Sequence, residues 1–118
     1  MALGIGGTLA DVTALARHAE RRGFGSVWVA ELTRSATVQA AAAIAATTRI
    51  AVGTAITLAF PRSPTVTAME AWDLDEASDG RFVLGLGSQV RRVMEARFSV
   101  AFDHPAARLA DYAETIRA

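Results

Sequence analysis

Three short runs of apolar residues, separated by segments with helical patterning, constrain the fold of this chain most strongly. The runs occupy residues 26–30, 50–58 and 81–87, and none alternates strictly between polar and apolar positions. Strands of a parallel sheet have this composition because their side chains are buried on both faces. The order strand, helix, strand, helix, strand therefore predicts an α/β fold with a parallel sheet. Both an open doubly wound sheet and part of a (β/α)8 barrel fit this order.

Helix signals fill the gaps between the three runs. A capping box that begins at Thr8 predicts the first helix, and apolar positions then recur at three and four residues. A second helix is expected over the alanine-rich residues 37–48. A third is expected over residues 64–78, because a proline occupies its first position. Further helices are predicted from residue 88 and from residue 105.

Composition excludes several classes of function. Twelve acidic residues balance twelve basic ones, all of them arginines and scattered, so no basic patch for nucleic acid or an anionic membrane is expected. The chain has no cysteine and two histidines, His18 and His104, which excludes disulfides, thiol catalysis and a histidine-rich metal site. The start of the chain does not read as a secretory signal, and the most apolar stretch, residues 50–60, is too short to span a bilayer. A soluble cytoplasmic protein is expected by elimination.

Candidate site residues follow the three predicted strands. Glu31 and Leu32 end the first strand, residues 55–57 lie late in the second, and residues 87–89 end the third. Ligands of parallel α/β proteins gather at the carboxyl ends of the strands. This edge combines one carboxylate, small residues, hydroxyls and an amide, with almost no formal charge. Such a surface suits a flat, uncharged ring better than a phosphate.

The glycines of the third run allow two interpretations. Residues 85–90 resemble the dinucleotide-binding pattern only superficially, because Val90 replaces its third glycine. Gly85 and Gly87 either let another backbone or a ligand approach the strand closely or serve packing alone.

Four residues allow either a chemical or a structural role. Glu31 could be a general acid or base, a hydrogen-bonding anchor, or a carboxylate that caps the next loop. His104 precedes a helix start, where a capping or surface role is favoured. Trp28 and Trp72 are assigned to the core. No metal site is predicted.

Several segments resemble the luciferase-like flavin and deazaflavin oxidoreductases. Residues 23–31 resemble the second strand of that family, and residues 49–56 its third. Residues 78–89, SDGRFVLGLGSQ, are similar to its fourth-strand signature S-x-G-R-F-x-L-G-x-G, the most specific match. Residues 97–108 are similar to a subgroup usually assigned to coenzyme F420.

The resemblance implies a fold and a cofactor. Residues 1–118 would form a single partial domain, the N-terminal half of a TIM (β/α)8 barrel, which binds F420 or, alternatively, FMN. A cis peptide would join Ala55 and Ile56 and support the ring. Glu31 would be the local candidate for proton handling. The cofactor-binding residues would be Thr54, Ala55, Ile56, Gly87, Ser88 and Gln89.

The leading function implied by the resemblance is hydride transfer between F420 and a small organic substrate. The alternatives are an FMN-dependent monooxygenase, a non-catalytic half-barrel, and an unrelated flavodoxin-like binding domain. Three positions depart from the family pattern: Leu32 where several F420 enzymes carry histidine, residues 35–37 in place of an acidic-proline-aromatic sequence, and Val93 in place of another histidine.

The length of the chain adds an expectation of its own. A complete barrel needs roughly 250 residues, and this chain has 118. We therefore expect the isolated chain to bind cofactor weakly or not at all. Open edges of a parallel sheet favour association, so a homodimer is also expected.

Overall fold

A computed structural model describes residues 7–88 and 104–117 of the chain. Its helices are α1 (Leu9–Arg21), α2 (Ala36–Ala46), α3 (Pro64–Ala77) and α4 (Pro105–Arg117). Its strands are β1 (Ser26–Val29), β2 (Ala51–Thr54), β3 (Thr57–Leu58), β4 (Phe82–Val83) and β5 (Leu86–Gly87). The predicted helix from residue 88 falls almost wholly on residues outside the described ranges, as do Gln89 and Val93. None of the described helices is long and apolar enough to cross a membrane.

The strands are parallel, as predicted, and form two short sheets in series. One sheet has the order β1-β2-β4, with Val27 opposite Val52 and Val52 opposite Phe82. The other pairs β3 with β5, with Thr57 opposite Leu86. Each of the two longer predicted strands is therefore split in two.

A one-residue bulge separates the two sheets. The last pair of the first sheet is Gly53–Val83 and the first pair of the second sheet is Thr57–Leu86. From one pair to the next, the β2–β3 segment advances by four residues and the β4–β5 segment by three. The extra residue interrupts the ladder, as a β-bulge does. The prediction of one continuous strand over residues 50–58 is wrong for this reason: an apolar run indicates burial but contains no sign of an inserted residue.

The described helices cover one face of the β1-β2-β4 sheet. Val27, Val29 and Val52 point from that face into a core formed with α1, α2 and Leu74 of α3. The opposite face carries Trp28, whose ring covers Gly53 on the neighbouring strand, and Val83, which is exposed. Helices on one face of parallel βα units are the arrangement of a barrel and not of a doubly wound sheet.

The four helices form one layer in the order α1, α2, α3, α4, each packed against the next. Tyr112 fastens α4 to α3, because its buried hydroxyl lies 2.5 Å from the Thr67 hydroxyl and donates to the carbonyl of Ser63 at 3.1 Å. A second apolar cluster joins β3 to α4 through Leu58 and Phe60.

Trp72 corrects the sequence-based assignment of the core. Its side chain is 74% exposed, whereas Thr67 and Leu74 are the buried residues of α3. Two positions correspond to about 200° around a helix, so Trp72 points away from the face that buries Leu74. The prediction that Trp72 belongs to the core is wrong because hydrophobicity alone does not identify which face of a helix meets the sheet.

Glu20 at the end of α1 holds the amino end of β2. Its carboxylate accepts backbone N–H groups of Arg49 at 2.8 Å, Ile50 at 2.9 Å and Thr48 at 3.1 Å. These hydrogen bonds, led by those from Arg49 and Ile50, lower the pKa of Glu20 to about 2.

We expect Glu20→Gln to destabilise the fold at neutral pH by on the order of 1 kcal/mol, because hydrogen bonds to a charged acceptor are the stronger ones. A carboxyl with a lowered pKa stabilises fully above its ordinary value of 4.5 and loses that contribution as the pH falls toward about 2. Urea unfolding between pH 7 and pH 2 should therefore show the two proteins converging in acid. A constant difference across that range would contradict the assignment.

Candidate cofactor-binding site

The residues predicted at the strand ends meet at one edge of the structure. Glu31 follows β1, Ala55 and Ile56 lie in the bulge between β2 and β3, and Ser88 follows β5. The peptide bond between Ala55 and Ile56 is cis, which confirms that expectation from the resemblance. Ala55 is exposed at this edge and Ile56 is half-buried. The floor of the edge is therefore small and apolar.

Two glycines allow the bulge to lie close to the neighbouring strand. A Cβ added to Gly87 would lie 1.8 Å from Ile56 Cδ1, and one added to Gly85 would lie 2.1 Å from the carbonyl oxygen of Thr54. Both glycines thus let another segment of backbone or side chain approach the strand closely, which is one of the two interpretations of their presence there. Because no side chain stands between the strands, the bulge sits directly against β5.

Thr54 ties the bulge to the loop between β4 and β5. Its hydroxyl donates to the carbonyl of Gly85 at 3.0 Å, and it accepts the N–H of Gly85 at 3.0 Å and the hydroxyl of Thr57 at 2.9 Å. One donor and two acceptor positions are all that a hydroxyl offers. The Thr54 side chain is also buried, so its hydroxyl serves the bulge itself.

Glu31 is buried beneath the same edge and is fully engaged. Arg62 donates to both of its carboxylate oxygens at 2.6 Å, and the N–H groups of Ala36 and Leu58 donate at 2.9 and 3.0 Å. Burial alone would raise the pKa of Glu31, but these hydrogen bonds outweigh that effect and lower it. Glu31 is therefore a carboxylate at neutral pH. Its role as a proton carrier stays a prediction.

Arg62 is a site residue that the sequence-based reasoning missed. It lies in the loop between β3 and α3. The available signal was a lone arginine between two prolines, Pro61 and Pro64, directly after a buried strand. Nothing in that pattern identifies Glu31, 31 positions earlier, as its partner.

A cavity of about 330 Å³ opens at this edge, between the loops that follow β1 and β3. Its wall contains the Glu31–Arg62 ion pair, in which the two charges offset each other. The residues that line it are Glu31, Leu32, Thr33, Arg34, Ser35, Pro61 and Arg62. None of the residues of the Ala55–Ile56 bulge lines this cavity, whose third charged residue is Arg34.

Known proteins share both the sequence and the fold. An uncharacterised protein of Mycobacterium tuberculosis is 40% identical over 99 residues, which are 84% of this chain and 29% of that protein. A second M. tuberculosis protein, whose name places it among coenzyme F420-dependent oxidoreductases, is 36% identical over 104 residues, 87% of this chain and 30% of that protein. The chain thus spans about 30% of the length of these relatives.

Two solved structures show the same fold. The F420-dependent tetrahydromethanopterin reductase of Methanopyrus kandleri matches 98% of this chain and 38% of its own, with a TM-score of 0.85 and 23% identity. The oxygenating constituent of 3,6-diketocamphane monooxygenase of Pseudomonas putida, in complex with FMN, matches 92% and 32%, with a TM-score of 0.81 and 16% identity. The family model for luciferase-like monooxygenases matches residues 2–118, and this chain belongs to that family.

Proposed function

We propose that this chain supplies the ring-binding floor of an oxidoreductase that transfers hydride between coenzyme F420 and a small organic substrate. The observation that carries the proposal is the one-residue bulge at Ala55–Ile56, seated against Gly87 at the carboxyl edge of the strands. The 36% identity to a protein named for F420-dependent oxidoreductases favours the deazaflavin.

In this proposal the residues of the bulge support the ring. Ala55 and Ile56 lie under it, and Gly87 and Ser88 lie at its edge. Thr54 acts from behind, because its hydroxyl fixes the bulge to Gly85. F420, when bound, supplies the hydride chemistry. The protein positions the ring and excludes water from it.

We propose that Glu31 positions this floor and does not carry a proton. Both of its oxygens already accept hydrogen bonds, and its lowered pKa opposes protonation near neutrality. A general acid or base works best when its pKa lies near the working pH. Of the three roles open to Glu31, these contacts therefore favour that of a hydrogen-bonding anchor.

NMR titration of the ¹⁵N-labelled chain with F420, and separately with FMN, tests the ring floor. Because the chain spans about 30% of its relatives, we expect weak binding, with shifts confined to the amides around Ala55, Ile56 and Ser88 and larger for F420. Ala55→Phe, which fills the floor, should abolish them. Ala10→Phe, at an exposed alanine on α1, is the matched control. Shifts elsewhere, or shifts unaffected by Ala55→Phe, would refute the proposed site.

An FMN-dependent monooxygenase is the second candidate. It is supported by the family description and by the shared fold of the P. putida protein solved with FMN. Aerobic consumption of reduced FMN would favour it, whereas anaerobic hydride transfer with F420 would favour the first proposal. Absence of both reactions would favour a non-catalytic half-barrel.

We also propose that the chain forms a homodimer through the outer surface of α2 and α3. The exposed positions of α2 are apolar and uncharged. Those of α3 include Met69, 62% exposed, and Trp72, with the carboxylates of Glu70 and Asp73 beside them in the groove between the two helices. Exposed apolar patches of this kind mark association sites. This surface, which we name the α2–α3 face, comprises Val38, Ala41, Ala45, Val66, Met69 and Trp72.

A second copy fits the α2–α3 face better than further barrel elements do. α2 and α3 lie in the middle of the helical layer, flanked by α1 and α4, so helices that continue the layer would join beyond those flanks. The face also pairs small residues on α2 with large ones on α3. A two-fold axis would place the large side chains of each copy on the alanines of the other.

Sedimentation velocity over a concentration series tests the dimer. We expect wild-type chain to dimerise, and Trp72→Glu to weaken dimerisation at least tenfold, because a buried carboxylate would lack a partner. Leu15→Glu, at an exposed leucine of α1, should leave it unchanged. A monomer at every concentration would refute the dimer, and an equal effect of Leu15→Glu would refute this surface.

A further inference from the structure

Arg62 makes an unusually complete set of contacts for a loop residue. Its Nη1 and Nη2 each donate to one oxygen of Glu31 at 2.6 Å, in a bidentate fork. Nη1 also donates to the carbonyl of Leu58 at 3.2 Å, and Nε lies 3.3 Å from Glu70 Oε1 on α3. The side chain is only 18% exposed. Guanidinium provides this planar, multivalent geometry, which an ammonium cannot reproduce.

The Glu31–Arg62 ion pair lies on the side of β3 where the described part of the chain has no neighbouring strand. The last main-chain hydrogen bond between β1 and the bulge runs from Ala55 N–H to Val29 carbonyl at 2.7 Å. Beyond it, β3 has β5 on one side and, among residues 7–88 and 104–117, no strand on the other. On its other side the Glu31 carboxylate accepts the N–H of Leu58, and Arg62 donates to its carbonyl. The two side chains thus pair with both polar groups of Leu58, as a neighbouring strand would.

The same pair connects β3 to the helices on either side. Glu31 accepts the N–H of Ala36 at the start of α2, and Arg62 reaches Glu70 on α3. The bulge residue Ile56 lies two positions before Leu58 and rests against Gly87. The Glu31–Arg62 pair is therefore joined to the Ala55–Ile56 floor through Leu58 and the one residue between Leu58 and Ile56.

We infer that Arg62 is a positioning residue: through its fork on Glu31 and its bond to Leu58, it sets the position of the Ala55–Ile56 floor. This role rests on the proposed function of that floor, but it concerns the free chain and can be tested without cofactor. A simple structural brace would contribute to global stability without a specific effect on the bulge.

The test compares Arg62→Gln with Arg49→Gln by NMR and thermal unfolding. Arg49 is the matched control at the opposite end of β2: its guanidinium lies 3.9 Å from the Glu20 carboxylate, donates to the Glu20 carbonyl at 3.2 Å, and belongs to a side chain that is 72% exposed. We expect Arg62→Gln to shift the Ile56 δ-methyl signal, to speed hydrogen exchange of the Leu58 amide at least tenfold, and to raise the pKa of Glu31 in a ¹³C-carboxyl titration.

Which residues show altered signals distinguishes a specific effect on the bulge from general destabilisation of the fold. The amides of Val27 and Val52, in the core behind the sheet, should keep their wild-type shifts in Arg62→Gln. Arg62→Lys, which keeps the charge but loses the fork, should leave the Ile56 signal displaced. An Ile56 signal in the wild-type position in Arg62→Gln, or the same displacement in Arg49→Gln, would overturn the inference.

A milder variant covers the case in which Arg62→Gln does not fold. Glu70→Gln removes one charge from the contacts of Arg62 and leaves the fork on Glu31 in place. We expect a smaller displacement of the same Ile56 and Leu58 signals. Wild-type signals at both residues in Glu70→Gln, with Arg62→Gln unfolded, would overturn the inference in favour of a simple brace. Failure of cofactor binding alone would bear on the proposed function and would leave these signals unchanged.

Discussion

Gly85→Ala is expected to destabilise the chain by about 3 kcal/mol, at the upper end of the usual cost of overpacking. The new Cβ would lie 2.1 Å from the backbone carbonyl oxygen of Thr54, which cannot rotate away as a side chain can. Relief requires the bulge to separate from the loop between β4 and β5, and this would break the hydrogen bonds between Thr54 and Gly85. Urea unfolding at neutral pH measures the loss.

Gly25→Ala is the control for this prediction. No atom lies within 4 Å of a Cβ placed there, and Gly25 is not among the glycines with positive φ. Its effect should be within about 0.5 kcal/mol, the usual range for a surface substitution. Equal unfolding midpoints for the two variants would show that the close approach at Gly85 is not required.

Glu31→Ala is expected to cost about 3 kcal/mol, because it leaves the guanidinium of Arg62 and the N–H groups of Ala36 and Leu58 without their acceptor. The loss is at the lower end of the range for a broken buried pair, since Arg62 keeps Glu70 and some exposure to water. Glu31→Gln, which retains one acceptor oxygen, should lose less.

The pH dependence of this loss follows from the lowered pKa of Glu31. Its stabilising contribution is complete above the ordinary carboxyl value of 4.5 and disappears as the pH falls through the lowered value of the folded state. The difference between wild type and Glu31→Gln should therefore shrink in acid. Unfolding of Glu31→Ala at the wild-type urea midpoint would contradict the network.

The order of elements could be predicted from sequence because local signals specify it. The capping box at Thr8 predicted α1, and the apolar runs predicted β1 and the parallel arrangement. The observed start of α2 lies one residue before the predicted start. The strand ends also identified the edge where Glu31, Ala55 and Ile56 meet. These features depend on short stretches of chain, where periodicity and turn chemistry are visible.

Features that depend on distant contacts could not be predicted. The bulge arises from the register between β2 and β4. Where both faces of a strand are expected to be buried, its side chains are apolar at every position, and the sequence does not indicate the register. The pairing of Arg62 with Glu31 joins positions 31 residues apart. The direction of Trp72 depends on which face of α3 meets α2 and the sheet. In each case the deciding information lies in a second segment.

One of the two tryptophans packs against the sheet and the other is exposed, so their intrinsic fluorescence can report on two different parts of the structure. Trp28 lies against Gly53 with its indole N–H bonded to the Ser26 hydroxyl at 2.9 Å, whereas Trp72 faces outward. Emission from Trp28 should report whether the sheet is folded. Emission from Trp72 should report whether a second copy covers the α2–α3 face. In two variants that each keep one tryptophan and carry phenylalanine at the other position, intrinsic fluorescence would report folding and association separately without a label.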